Sequence, residues 1–369
     1  MKSVGIGVGG RFHSDFMYQA LSQLGYFPSI YTSFPQNRFP DFAVPSESFI
    51  LPELIYRGAK KVGFESSGDA LKMKLFGKFL AAQISNLKPN YFVGWSSFSL
   101  ETLKRRPANC HILMRDSSHI KFQYDLLAEE YRKFGFKFPS RQFCLERELE
   151  EYAAADRIWV LSEFAKKTFV ESGIAKEKVE ILPLGVDLER FQPLEMVTAP
   201  SPLRVIYFGI ISFRKGVQYL LEATKDFSPK QIELNLIGAV EPEFKSTLRK
   251  YSHFNYLKPM PQTELAKEIR KHHVYVFPTL EDGFGQTLIQ AMASGLVPIT
   301  TTHCGSADFT YLKNSEWRIP CRSADAIKNR LEKLIQHPQL LPELRAQAIQ
   351  SAEGMTWKRY QAQLGQLLA

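Results

Sequence analysis

At 369 residues the chain exceeds what one hydrophobic core organises, so two domains of somewhat under two hundred residues each are expected. Its 44% apolar and 23% charged residues exclude a disordered chain, no apolar run nears the roughly 20 residues of a spanning helix, and the first residues lead to the expectation of no secretory leader. Cys110, Cys144, Cys304 and Cys321 lack paired spacing, against a zinc site or a disulfide framework, and a cytoplasmic location is expected.

The first strand candidate, Ser3 to Val8, runs into Gly9 and Gly10. Gly5, Gly7 and Gly10 fit the spacing G-x-G-x-x-G, but they begin inside the strand, and the residues about 20 further on, Ser29 to Ser33, are uncharged. A nicotinamide or flavin site is therefore disfavoured. Gly9 and Gly10 either let backbone N–H groups approach a phosphate or sugar, or only form a tight strand-to-helix turn. A helix from Asp15 to Leu24 and a strand from Ser29 to Thr32 follow.

The net charge of +9 is concentrated between Arg57 and Arg106, where ten Lys or Arg oppose Glu65, Asp69 and Glu101. Phe64, Leu71, Leu75, Phe76 and Phe79 lie among these charges. Such a segment could meet an anionic membrane at its inner face, an acidic acceptor or nucleic acid, or be a solvated helix face; no nucleic-acid docking motif accompanies it. Strands are expected at Tyr91 to Gly94, His111 to Met114, Arg157 to Leu161 and Val179 to Leu182, with a helix from Arg141 to Ala154.

Prolines at 183, 193, 200 and 202 mark a connector. The expected division is a first domain over 1–187, a hinge over 188–202, a second domain over 203–354, and a terminal helix over 355–369 crossing back to the first domain. Strands of the second domain are expected at Arg204 to Phe208, Gln231 to Ile237, Phe254 to Leu257, Val274 to Phe277, Leu296 to Thr300 and Trp317 to Ile319. Strands alternating with helices imply two parallel sheets covered on both faces.

Two second-domain loops carry chemistry. Arg214 and Lys215 stand between a strand and the helix marked by Val217, Leu220 and Leu221, where helix dipoles disfavour cations unless an anion is bound. Asp282 precedes Gly283-Phe284-Gly285-Gln286, whose amides are read as open to oxygen ligands. The helix after it has Leu288, Ala291 and Met292 on its buried stripe, Gln290 directed away from that stripe, and Gly295 as its stop. Gln290 lies roughly 8 Å along the helix from Gly285, a span suited to phosphates at the helix end and a ribose further on. A carboxylate and several amides converging on one point suit a sugar, the alternative being Asp282 as a helix cap and Gln290 as an exposed polar residue.

These residues resemble the family-4 retaining glycosyltransferases, of the group 1 type, whose GT-B fold sets two Rossmann-like domains across a cleft. The resemblance rests on Gly9-Gly10-Arg11-Phe12-His13, Asp156-Arg157-Ile158, Ser162-Glu163-Phe164, Pro183-Leu184-Gly185-Val186-Asp187, Arg214-Lys215-Gly216 and the stretch from Asp282 to Gly295. It implies retaining, metal-independent transfer of a hexose-type sugar from a nucleoside-diphosphate sugar to a saccharide or lipid-linked acceptor, without a cofactor. It gives Lys215, Arg214, His119 and Asp282 catalytic roles, and Gly9, Gly10, Gly283, Phe284, Gly285, Gln286 and Gln290 donor-binding ones. Members carry glutamates where Asp282 and Gln290 stand, and a basic residue where Ile210 stands, so Arg214 is assigned that cation. Sugar-nucleotide epimerases, phosphorylases and non-catalytic sugar-nucleotide-binding proteins of the same plan are the alternatives.

Overall fold

A computed structural model describes residues 2–139, 142–194 and 201–369. The first domain is built on a seven-stranded sheet of β1 (Ser3–Val8), β2 (Phe27–Thr32), β3 (Glu47–Ser48), β4 (Tyr91–Trp95), β5 (Cys110–Arg115), β6 (Arg157–Val160) and β7 (Val179–Ile181), in the order β3-β2-β1-β4-β5-β6-β7. The second holds β8 (Leu203–Phe208), β9 (Ile232–Ile237), β10 (Asn255–Leu257), β11 (Val274–Phe277), β12 (Val297–Thr301) and β13 (Arg318–Ile319), in the order β10-β9-β8-β11-β12-β13. Neighbouring strands run parallel throughout, and the two units are Rossmann-like as expected.

Central strands are apolar over most of their length because helices cover both faces of each sheet; Val4, Ile6, Val8, Val205 and Ile206 are fully buried. The expected strands recur with ends moved by a residue or two. The added β3, only two residues long, carries no periodicity that a sequence could display. The start of the expected helix at Arg141 and residues 195–200 of the expected hinge lie outside the described residues; the helix itself is Gln142–Ala154.

In both sheets the strand order reverses direction at one place: between β1 and β4, and between β8 and β11. Loops leaving adjacent strands at a reversal diverge to opposite faces and open a crevice at the strands' carboxyl ends. Gly9 and Gly10 leave β1, Arg214 and Lys215 follow β8, and Asp282 follows β11. The topology thus brings to two reversal points what the chain separates by more than two hundred residues.

The units are joined in several places. Phe213 is fully buried against Tyr131, Phe134 and Phe136 at ring-centroid distances of 5.1, 5.3 and 5.2 Å, and burying such a side chain contributes about 1.5–3 kcal/mol. Val186 N–H donates to the Met355 carbonyl at 2.8 Å, so the chain passing forward lies beside the chain passing back. The last helix, Trp357–Leu368, stacks Trp357 on Phe16 of the helix Ser14–Gln23 at 3.7 Å and buries Tyr360, Leu364 and Leu368.

The basic segment forms part of the helix Leu51–Lys61 and the helix Glu65–Leu87. Its apolar residues divide: Phe76 is fully buried and Phe79 packs on it, whereas Phe64 and Leu71 are exposed. Its charge is also less free than a count implies. Arg57 and Lys72 pair with Glu53, Lys60 with Glu65, Lys104 with Glu150, and Arg106 with Asp156. Among the described residues no helix is long and apolar enough to cross a membrane.

Candidate functional site

The loop after β8 ends at Gly216, which opens the helix Val217–Thr224 with φ of +69°. A Cβ there would stand 1.9 Å from the Pro278 carbonyl oxygen, so only glycine lets this turn pack on the end of β11. That contact sets Lys215 beside Asp282: its ammonium donates to Asp282 Oδ2 at 2.5 Å and lies 5.6 Å from the Phe277 ring centroid. Both side chains are mostly covered, at 16% and 17% exposure.

Arg214 donates from Nε to Glu281 Oε2 at 2.9 Å and from Nη2 to the first-domain Ser117 Oγ at 2.9 Å. Two cations at a helix start therefore have two carboxylates of the same chain beside them. The conflict with the helix dipole, which sequence reasoning resolves by a bound anion, is already balanced by Glu281 and Asp282.

The turn at 283–286 corrects a second expectation. Asp282 Oδ1 accepts from Phe284 N–H at 3.2 Å and Gly285 N–H at 2.8 Å, so two of the amides read as open to a ligand hold the aspartate instead. Asp282 thereby ties together the turn that leads to Gly285, the N-cap of the helix Gln286–Ala293. Phe284 is a core residue at 2% exposure, and the Gln286 side chain donates to the Gly185 carbonyl at 2.7 Å. Gln290, expected to turn from the apolar stripe, is nearly buried at 8%, because that helix is enclosed on all sides from Leu288 to Ala293.

Gly9 packs against Phe98, whose ring would stand 2.3 Å from an added Cβ, and the Gly9 and Gly10 carbonyls accept from Ser33 Oγ at 2.9 Å and Thr32 Oγ1 at 2.7 Å. Close packing alone accounts for glycine at position 9. The loop leads to His13, which lies 3.8 Å from Asp116 Oδ2, and Asp116 also accepts from Trp95 Nε1 at 3.1 Å.

His119 follows Ser118, whose N–H reaches Glu281. Its ring packs on Tyr152 and Phe169, both at 5.0 Å between centroids, and its Nδ1 accepts the Lys121 N–H at the start of the helix Ile120–Lys133. It borders a hollow of ≈530 Å³ shared with Lys121, Asp125 and Leu149. Its Nδ1 thus serves as a helix cap, and the expected sugar contact of His119 remains a proposal. Burial, then the Arg115 and Lys121 charges, lower its pKa to about 4, as burial and the Arg204 charge do for His273.

A base whose folded pKa lies below its unfolded one stabilises the fold above the unfolded value and loses that contribution as pH falls. Stability should therefore drop between pH 6.5 and about 4, each histidine adding roughly 1.4 kcal/mol per pH unit inside the window. Urea midpoints at pH 7 and pH 5 are expected to differ less in His119→Asn, which keeps a cap but does not titrate. An equal drop in both proteins would remove His119 from the acid response.

Sequence reasoning missed the residues that close the domains on one another. Glu281, fully buried, accepts from Ser118 N–H at 2.8 Å and Gln123 Nε2 at 2.6 Å. Ser162 Oγ donates to the Gly283 carbonyl at 2.7 Å, and Phe164 N–H to Asp308 at 2.8 Å. Burial opposes ionisation of Glu281, yet Arg214, the Ser118 N–H, Gln123 and Lys215 outweigh it and hold the carboxyl at about 2. The signal lay in plain view: a second acid directly before Asp282, and a polar run from Asp116 to His119 at a strand's end.

Comparison with known proteins bears on this site. The family described as Glycosyl transferases group 1 matches residues 197–355, which include both second-domain loops. The chain is 23% identical over 172 residues to the putative colanic acid biosynthesis glycosyltransferase WcaL of Escherichia coli K12, covering 43% of this chain and 42% of that one. The match thus spans less than half of that relative. Among solved structures, sucrose-phosphate synthase of Thermosynechococcus elongatus superposes with a TM-score of 0.73 at 17% identity, covering 100% of this chain and 98% of that one. Anabaena HepE in complex with UDP does so with 0.69 at 11% identity, covering 100% and 99%. At such identities the structural likeness establishes the GT-B fold.

Proposed function

We propose, from the match of residues 197–355 to the family described as Glycosyl transferases group 1, that the chain transfers a hexose-type sugar from a nucleoside-diphosphate donor to a saccharide or lipid-linked acceptor, with retention of anomeric configuration and without a metal. The observation that carries this reading is the Lys215–Asp282 pair, 2.5 Å apart where the second sheet reverses strand order. An ammonium has three donors and Asp282 takes one, so Lys215 can bind an oxygen of the diphosphate while the remaining acceptor site on Asp282 Oδ2 receives a sugar hydroxyl. Arg214 supports the same charge, joined by the amides of Gly283 and Gln286.

Catalysis on this reading comes from bringing acceptor and donor together in the cleft and from stabilising negative charge on the departing diphosphate. Fixed cations and amides supply that stabilisation, which is why no metal is invoked. Gln290 would hold a ribose hydroxyl through a neutral hydrogen bond. The names of the relatives favour transfer over epimerisation or phosphorolysis: WcaL is named for colanic acid biosynthesis, and the HepE structure contains UDP.

A panel of nucleotide sugars tested by thermal melting checks the donor assignment. A donor at about 100 times its Kd adds roughly 2.7 kcal/mol, a rise of several degrees. No rise with any member of the panel at millimolar concentration would sink the assignment.

The acceptor side is proposed to rest on an anionic membrane through the turn between the helices Leu51–Lys61 and Glu65–Leu87. There Val62 and Phe64 are 70% and 66% exposed beside Lys60 and Lys61, and Leu51 and Leu54 continue the apolar surface. Equal sedimentation with neutral and anionic vesicles would exclude it.

A further inference from the structure

Glu281 precedes Asp282, but its partners differ in kind. Its carboxylate is fully buried and joins the two domains: Ser118 N–H and Gln123 Nε2 donate from the first, Arg214 Nε from the second. A buried carboxylate is tolerated only when paired and hydrogen-bonded, and once satisfied it fixes its partners rigidly. The first-domain partners are held from behind as well. Arg115 donates to Gln123 Oε1 at 3.0 Å, to the Ser118 carbonyl at 3.2 Å and to Glu148 Oε1 at 3.1 Å. A continuous polar chain thus runs from Glu148 in the helix Gln142–Ala154, through Arg115 and Gln123, to Glu281 and Arg214.

We propose that Glu281 is a positioning residue of the transfer reaction: its carboxylate sets Arg214 and the first-domain residues 116–118 in one register, so the grip on the donor diphosphate is completed only when the domains are docked. This rests on the reading of Arg214 and Lys215 as partners of the diphosphate. Arg214, Lys215, Glu281 and Asp282 carry a formal charge of zero together. Removing the charge of Glu281 leaves the cluster cationic, which should favour a bound anion while loosening the loop that must close over it.

Glu281→Gln separates these effects, since in either orientation the new amide nitrogen meets a donor, Ser118 N–H on one side or Arg214 and Gln123 on the other. Inorganic pyrophosphate is the probe, being independent of base and sugar. Hydrogen exchange in residues 115–122 is expected to quicken by about tenfold or more. Pyrophosphate affinity should stay equal or tighten by up to roughly tenfold, and turnover of the donor found by melting should fall about 100-fold with little change in its KM.

Unaltered exchange with turnover within about threefold of wild type would overturn the proposal. So would pyrophosphate binding that weakens together with the loop, because a merely structural loss weakens everything at once. Lys215→Ala tests the underlying reading separately: if it retains wild-type affinity for pyrophosphate, the diphosphate assignment fails, whereas the exchange result still reports what Glu281 holds.

Discussion

Replacing Lys215 with alanine is expected to lower turnover by about 10²–10³-fold while leaving the thermal transition nearly where it was. The Lys215 side chain sits in a partly enclosed cluster at 16% exposure, where a charge–charge contact is much stronger than in water. On the proposed mechanism it faces the diphosphate as charge accumulates on it. The fold should tolerate the loss because the interactions that shape the loop belong to its neighbours. Gly216 makes the turn, Leu280 N–H donates to the Arg214 carbonyl at 2.9 Å, and Asp282 retains the Phe284 and Gly285 amides. The affected term should be transition-state stabilisation, seen as a fall in kcat more than a rise in donor KM. Turnover of Lys215→Ala within a factor of about three of wild type would take this residue out of the mechanism.

How far the site could be read from the residues depends on the range over which each relation acts. The central strands are legible because burial on both faces demands uninterrupted apolar runs, and Val205 to Phe208 meets that demand. Lys215 and Asp282 were legible separately, each at the carboxyl end of a strand, but their contact depends on β8 and β11 being neighbours. Strand order is a tertiary choice that no local pattern encodes. Glu281 was overlooked for the same reason: its first-domain partners, Ser118 and Gln123, are 163 and 158 residues away.

Two features of the site turn on local relations that a sequence does not rank. The amides of the Gly283-to-Gln286 turn were counted as ligand donors because sequence alone does not say whether an aspartate caps its own turn. Its Oδ1 claims two of them. His119 owes its expected role to the resemblance and to its place at a strand's end, where a helix start exerts an equal demand for a capping side chain, and its Nδ1 meets that demand.

Gly283→Ala should show how closely the domains must meet. No positive φ constrains this glycine; space does, for an added Cβ would stand 2.2 Å from the Asp116 carbonyl oxygen and 2.6 Å from Ser117 Cα. Both are backbone atoms of the other domain and cannot swing aside as a side-chain end would. To reach ordinary contact the two backbones must part by about 1 Å, a misplacement that can cost about 100-fold in rate. The same shift strains the Ser162 bond to the Gly283 carbonyl, the Ser118 bond to Glu281 and the Arg214 bond to Ser117. Overpacking should also remove about 1–3 kcal/mol of stability. Gly58→Ala is the matched control: it lies inside the helix Leu51–Lys61 with nothing within 4 Å of the new Cβ, and should gain a few tenths to about 1 kcal/mol from helix propensity. If Gly283→Ala keeps full turnover and the melting temperature of Gly58→Ala, the interdomain contact at 116–117 is looser than this geometry requires, and docking of the first domain has no part in shaping the cleft.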